Sequence, residues 1–210
     1  MRFYNIDGID FPSATTVLSA LPQPTALKNF INNNPNAAFI ASERAYIGIL
    51  SHFHFESRNS IHLNKTPILE EVDSQFDTED NRDIIEDIKT KIDFFLFENE
   101  LKPLHIEEKI WSHELRTAGR VDYIGYFKGM LSIIDLKTSK AFYESDTGFD
   151  SHSLQLSAYK QCAKETLGLD IQKLFILRVH EDSWWELKEK EFDIGGFKYA
   201  RELFREKYGC

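Results

Sequence analysis

Sulfur is nearly missing from this chain. Two cysteines in 210 residues, Cys162 and Cys210, cannot build a four-thiolate zinc site or an iron–sulfur cluster, and a disulfide framework is not expected. Basic charge is short as well. Lys and Arg number 25 against 34 Asp and Glu, a net charge of −9. That balance excludes a protein that coats polyanions through its overall charge, so any nucleic-acid contact must come from a local basic strip or from metal at an acidic site. No apolar run reaches membrane-spanning length, and the opening MRFYNIDGIDF carries neither the apolar core nor the cleavage pattern of a secretory signal. A cytoplasmic protein with no membrane partner is expected. Repeats are missing, and low complexity is limited to Asn32-Asn33-Asn34. Aromatic residues are plentiful: 17 Phe, 13% aromatic and 42% hydrophobic describe a globular chain long enough for a substantial core, most simply one domain over residues 1–210.

Helices dominate the first hundred residues. Residues 2–11 alternate as a short hairpin with Asp7-Gly8 as its turn, and Ser13 caps a short helix that Pro22 and Pro24 close off. Leu27, Phe30 and Ile31 suggest a second short helix. A long helix then runs from about Ala37 to Arg58, with Ala45, Gly48, Ile49, His52 and Glu56 on one face. A glycine in mid-helix suggests close approach by another backbone. Glu56, one turn beyond His52, is placed to orient the imidazole, although a lone helical histidine is commonly structural. Residues 59–80 are polar and irregular. A second long helix, from about Asn81 to Glu98, shows the stripe Ile85, Ile88, Ile92 and Phe95.

Residues 101–210 read as the sheet. LHIEEKIWS is a strand opened by Pro103, and either Glu107 or Glu108, not both, can face a site on the next strands. Residues 119–140, GRVDYIGYFKGMLSIIDLKTSK, form a hairpin about Lys128-Gly129. A two-residue loop pairs Phe127 with Met130, and counting back pairs Tyr126 with Leu131, Ile124 with Ile133 and Asp122 with Asp135. Lys137 shares a face with Asp135. Two opposed carboxylates on apolar strands usually hold a proton or a cation, and a hard divalent ion, Mg²⁺ or Mn²⁺, suits oxygen ligands. The same residues also suit an exposed hairpin on which Lys137 is a counter-charge. A third helix, from about Leu154 to Leu167, puts Gln155 and Tyr159 on one face. Strands at 173–180 and 184–190 follow, then a helix that buries Phe197, Ala200, Phe204 and Tyr208. The order implies an α/β fold: a mixed central β-sheet whose first strands form an antiparallel meander, flanked by helices.

Taken together, Gly119-Arg-Val-Asp122, then Asp135-Leu-Lys137-Thr-Ser, Gln155-x-x-x-Tyr159 downstream and Gly48-x-x-x-His52 upstream resemble the PD-(D/E)XK nucleases of the RecB-like exonuclease branch. Pro12-Ser-Ala-Thr-Thr is similar to a segment near the start of phage and mitochondrial-maintenance members. The scattered match covers roughly residues 12–160. It implies a restriction-endonuclease-like core and a Mg²⁺- or Mn²⁺-dependent nuclease acting on DNA, foremost an exonuclease on single-stranded ends, in a bacterial or phage-infected cell with a part in DNA repair or recombination. An endonuclease, or a nucleic-acid-binding subunit with a relict site, are the alternatives. By the resemblance, Asp122 and Asp135 bind metal with the Leu136 carbonyl, His52 is a further ligand, and Glu107 fits the family's glutamate because Ile110 and Ser112 then fall at the usual offsets. Lys137 positions or deprotonates the attacking water, and Gln155 and Tyr159 support Lys137 and touch the nucleic-acid backbone. Phe142 and Tyr143 are candidates for stacking on bases.

Overall fold

The structure is a computed structural model that describes residues 1–139 and 148–209. Phe142, Tyr143 and Cys210 lie outside the described residues. Two short strands open the chain, β1 (Phe3–Ile6) and β2 (Ile9–Pro12). Their turn has Asp7 at φ 52° and Gly8 at φ 81°, the pair of positive angles a type I′ hairpin requires. Helix α1 (Ala14–Leu18) follows, and the Ser13 side chain accepts the Thr16 N–H, as its capping role predicts. Helix α2 (Thr25–Asn33) buries none of its residues. Leu27, Phe30 and Ile31 therefore remain exposed.

Helices α3 (Ala37–Ser60) and α4 (Glu79–Glu98) come next, joined by an irregular segment with two 3₁₀ turns. Thr78 caps α4, which starts at Glu79, two residues before the expected Asn81. The main sheet has five strands in the order β3 (Leu101–Ser112), β4 (Thr117–Phe127), β5 (Met130–Ser139), β6 (Lys173–His180) and β7 (Trp185–Glu189). Strands β3, β4 and β5 form the expected antiparallel meander, β5 and β6 run parallel, and β6 and β7 antiparallel. Helix α5 (Ser151–Leu167) makes the crossover between the parallel strands, and α6 (Ile194–Tyr208) ends the described fold. The start of α5 falls three residues earlier than apolar spacing implied, because Asp150 accepts the His152 and Ser153 N–H groups. Pro103 sits inside β3, not at its start, which an edge strand with a bulge at that point tolerates.

The sheet divides two cores. On one face α1, α5 and α6 bring Val17, Leu154, Ala158, Phe197 and Phe204 against Ile110, Val121, Ile124, Ile133 and Ile176. On the other, α3 and α4 bring Ile47, Phe55, Ile88, Ile92 and Phe95 against Ile106, Tyr123, Ile134, Leu136 and Leu177. All four residues of the α4 stripe are buried, whereas Tyr208 of α6 is exposed rather than buried as its spacing suggested.

Close backbone approach occurs at a different glycine from the one the helix pattern singled out. A Cβ on Gly48 would meet only the Thr138 hydroxyl at 3.8 Å, an ordinary contact. At Gly125 a Cβ would lie 2.4 Å from the Lys102 carbonyl and 2.8 Å from the Pro103 Cα. Backbone of a paired strand has little room to yield. Gly125→Ala is expected to destabilise the fold by about 1–3 kcal/mol, read as a lower urea midpoint at unchanged slope, whereas Gly48→Ala should leave the midpoint equal or higher.

Candidate metal centre

Strict alternation along β3 and β4 fails at two residues, and both are carboxylates. Val121 packs with α5 and α6, yet Tyr123, two residues on, packs with α3 and α4. Residues two apart should share a face, so β4 changes face at Asp122. Strand β3 changes face in the same place, between Ile106 and Ile110. The regular ladder steps from Ile106↔Tyr123 to Glu108↔Val121 and leaves out the intervening pair, Glu107 and Asp122. Glu107 has φ 47°, a left-handed conformation that costs a non-glycine residue on the order of 1–3 kcal/mol. Irregularities of this kind re-aim side chains next to functional sites.

The β4–β5 hairpin holds the register counted from its turn, with Phe127↔Met130 and Ile124↔Ile133 paired. Its two-residue loop is again type I′, with φ 50° at Lys128 and 80° at Gly129. Regular pairing ends at Tyr123↔Ile134. At the next step Asp122 intervenes, and its Oδ2 accepts the Leu136 N–H at 2.7 Å. Leu136 therefore meets the site through its peptide, while its side chain is buried in the α3–α4 core. Asp122 and Asp135 are both buried, at 6% and 2% exposure. Lys137 places its ammonium 2.6 Å from Asp135 Oδ2, the face-sharing that alternation predicts. The geometry of that contact is not a hydrogen bond, so this buried oxygen has an ion-pair partner but no hydrogen-bond donor.

Helix α3 delivers His52, whose Nδ1 lies 3.3 Å from Asp122 Oδ2. Asp122, not Glu56, therefore orients the imidazole. Glu56 instead lies in the field of Arg120, Lys65 and Glu70; burial pushes its carboxyl up, and the two cations oppose the rise. His52, Glu107 and Asp122 each offer one ligand atom, all within 4.8 Å of one another. Of the two glutamates on β3, Glu107 faces the site, while Glu108 pairs with Lys65 at 3.2 Å. Asp135 stands outside that triad, and the Asp122–Asp135 pair counted from the turn is not formed, since the ladder ends one step before it. Helix α5 braces it: Gln155 Nε2 donates to Asp135 Oδ1 at 3.1 Å and to the Tyr159 hydroxyl at 3.2 Å. The brace is thus on Asp135 rather than on Lys137. Tyr159 packs against β4 at Gly119, where a Cβ would come within 2.4 Å of its ring.

The charges at the site hold one another in place. Burial alone would raise the Asp122 carboxyl, but His52, Lys137 and the Leu136 N–H hold it below its ordinary value. Burial pushes the Asp135 carboxyl up; Lys137 opposes the rise and Asp122 adds to it. Burial would lower the Lys137 ammonium, yet Asp135 and Asp122 keep it above the ordinary lysine value. The same balance raises His52, where Asp122 outweighs desolvation. Glu107 is pushed up to about 7 by burial and by Asp122, against the pull of Arg120 and His52. Arg120 was singled out in the sequence only as part of the Gly119–Asp122 motif. Its Nε lies 2.7 Å from Glu107, and its Nη2 binds Glu70, some fifty positions away. No local pattern announces a contact of that sequence separation.

The donor set fits a hard divalent cation. It combines two carboxylates with one imidazole nitrogen, all within 4.8 Å of one another. No family model matches the sequence, and no curated protein does. Among solved structures, a putative exonuclease from Eubacterium rectale superposes at a TM-score of 0.47 with 12% identity over 80% of this chain. A protein named SSO0001 superposes at 0.35 with 17% identity over 77%. The chain spans 65% of the length of the first and 75% of the second. Among the described residues no helix is long and apolar enough to cross a membrane.

A ligand carboxyl raised to about 7 makes metal and proton competitors. Between the ordinary glutamate value and 7, the metal-free fold keeps the Glu107 proton that the unfolded chain has lost, so stability falls as pH rises through that window. Metal reverses the sign. Mn²⁺ is expected to raise the melting temperature more at pH 8 than at pH 6, and Glu107→Gln should remove most of that difference. Equal shifts at both pH values would place the metal elsewhere.

Proposed function

We propose that this chain is a Mg²⁺- or Mn²⁺-dependent nuclease that hydrolyses phosphodiester bonds of DNA, with single-stranded ends as its substrate. The observation that carries the reading is the buried pair Asp122 and Asp135 with the Lys137 ammonium 2.6 Å from Asp135. Around it stand His52 and Glu107 on one side and the Gln155–Tyr159 brace on the other. Desolvating two carboxylates side by side is costly unless cations share the space. A site so built has a use for its charge.

Each residue has a role in this reading. His52, Glu107 and Asp122 supply ligand atoms for the ion, with Asp135 and the Leu136 carbonyl completing the set. A bound Mg²⁺ or Mn²⁺ supplies Lewis acidity and lowers the pKa of water at neutral pH. Gln155 fixes the Asp135 carboxylate by donating to Oδ1, and the Tyr159 hydroxyl fixes the amide. Lys137 acts through charge. Two carboxylates hold it as an ammonium, so it orients the attacking water as a donor and stabilises the negative charge that grows on the phosphoryl oxygens. Water adds to phosphorus and gives up its proton to solvent, a phosphorus–oxygen bond of the chain breaks, and the leaving alkoxide takes a proton from solvent. Phe142 and Tyr143 retain their proposed role of stacking on unpaired bases.

Asp135→Ala and Lys137→Ala should each lower Mg²⁺-dependent degradation of end-labelled single-stranded DNA by about a hundredfold or more, with circular dichroism unchanged. Circular single-stranded DNA should resist the wild type, since an enzyme that needs ends finds none. Undiminished cleavage by both variants would sink the assignment, and cutting of the circle would turn it into an endonuclease.

A further inference from the structure

The geometry points to Arg120 as the residue that grips a phosphate of the substrate strand, with Glu70 occupying that phosphate's place until the strand arrives. The inference rests on the nuclease reading and assigns a residue to which that reading gave no work. Arg120 stands beside the metal ligands without being one. Its Nε is ion-paired with Glu107 at 2.7 Å, while Nη2 of the same guanidinium edge donates to Glu70. That edge is the fork by which an arginine holds an oxyanion through two parallel hydrogen bonds. Here the fork is split between an inward carboxylate and an outward one. The inward carboxylate, on Glu107, is 13% exposed, whereas the Glu70 side chain is 46% exposed.

Glu70 belongs to the irregular segment between α3 and α4. The chain leaves its first 3₁₀ turn at Asn64, with φ 52°, and Lys65 then reaches across β3 to the Ile106 carbonyl at 3.4 Å and to Glu108 at 3.2 Å. Ile68 beside it is 83% exposed. The segment has no strand partner from Lys65 to Asp73, so shifting Glu70 breaks side-chain contacts and no sheet ladder. An exposed ion pair contributes little, and a phosphate in charge-assisted contact with arginine can replace it. Charge at this point also favours the exchange. Glu56, Glu70 and Glu107 all act on Arg120, with Lys65 the other cation in their field. A cation bound at Glu107 would share that carboxylate and leave the arginine better able to take a second anion. Glu70 is the anion in place, and a backbone phosphate is the anion that belongs there.

The test is a double-mutant cycle read by fluorescence anisotropy of a labelled single-stranded oligonucleotide, with Ca²⁺ in place of Mg²⁺, alongside Mn²⁺ binding read by electron paramagnetic resonance. Glu70→Gln is expected to tighten DNA binding about threefold, and Arg120→Gln to weaken it roughly tenfold. In the Arg120→Gln background, Glu70→Gln should have no further effect. Glu71→Gln removes an equal charge one residue away and should change affinity by less than about twofold. Mn²⁺ affinity should be the same in Glu70→Gln and wild type. Two results overturn the inference: Glu70→Gln tightens binding no more than Glu71→Gln does, or Arg120→Gln loses Mn²⁺ affinity as steeply as DNA affinity, which would make Arg120 a clamp on Glu107 alone. A wild type that neither binds nor cleaves the oligonucleotide refutes the nuclease reading itself.

Discussion

Two carboxylates with almost no access to water, side by side at the end of a hairpin, set the terms for the rest of the fold. Donors and cations gather round Asp122 and Asp135: the Leu136 N–H, the His52 imidazole, the Gln155 amide and the Lys137 ammonium. Removing any one would leave buried charge less compensated, and an uncompensated buried charge costs several kcal/mol. The helices that surround the sheet are therefore fixed by more than apolar packing. Helix α3 has to sit where its fifth turn brings His52 to Asp122, and α5 where its second turn brings Gln155 to Asp135. Apolar area gives both helices their adhesion, and the carboxylates give them their register.

The same demand explains the irregularity of the sheet. A regular pleat would aim Asp122 and Val121 at opposite cores and bond Asp122 through its backbone to β5. Instead β3 and β4 reverse faces together at Glu107 and Asp122. The Asp122 carboxylate then turns onto the β5 backbone, and Glu107, in its left-handed conformation, joins it. Strain on the order of 1–3 kcal/mol persists only where the surroundings over-determine it. Here the surroundings are the paired residues on both sides, Ile106↔Tyr123 and Glu108↔Val121, and the Tyr159 ring seated on Gly119. The cost of the conformation and the convergence of three ligand atoms arise at the same residues.

Much of this arrangement was legible in the sequence, and the limits have physical causes. The hairpin register followed from a two-residue loop, because a type I′ turn leaves one way to pair the strands. The nearness of Lys137 to Asp135 followed from the two-residue period of β5, which stays regular. The stripe of α4 followed from helical spacing. The reversal at Glu107 and Asp122 did not follow, since alternation arguments assume an unbroken pleat and nothing in LHIEEKIWS signals a positive φ. Glu56 was misplaced for a related reason. Helical spacing puts it one turn from His52, but side-chain direction is decided by what lies opposite, and the cations Arg120 and Lys65 lie opposite Glu56. Gly48 misled in another way: the propensity cost of glycine is the same whether a neighbour fills the space or not, so sequence reports the cost and not the contact. Long-range ion pairs such as Arg120 with Glu70 have no periodicity to carry them.

If the proposed nuclease reading holds, an acidic protein has to concentrate its attraction for a polyanion. With a net charge of −9 the far field opposes a nucleic acid, and within a Debye length of about 8 Å only the local charges count. Near the site those charges are Lys137, Arg120, Lys65 and His52, and in the described structure each has a carboxylate partner: Asp135, Glu107 with Glu70, Glu108, and Asp122. Without a metal the site is therefore close to self-neutralised and offers a phosphate little net attraction. A divalent cation changes the sum by two charges at the one place where the carboxylates converge. On the proposed reading, metal occupancy is then the step that would make the site attractive to an anion as well as reactive.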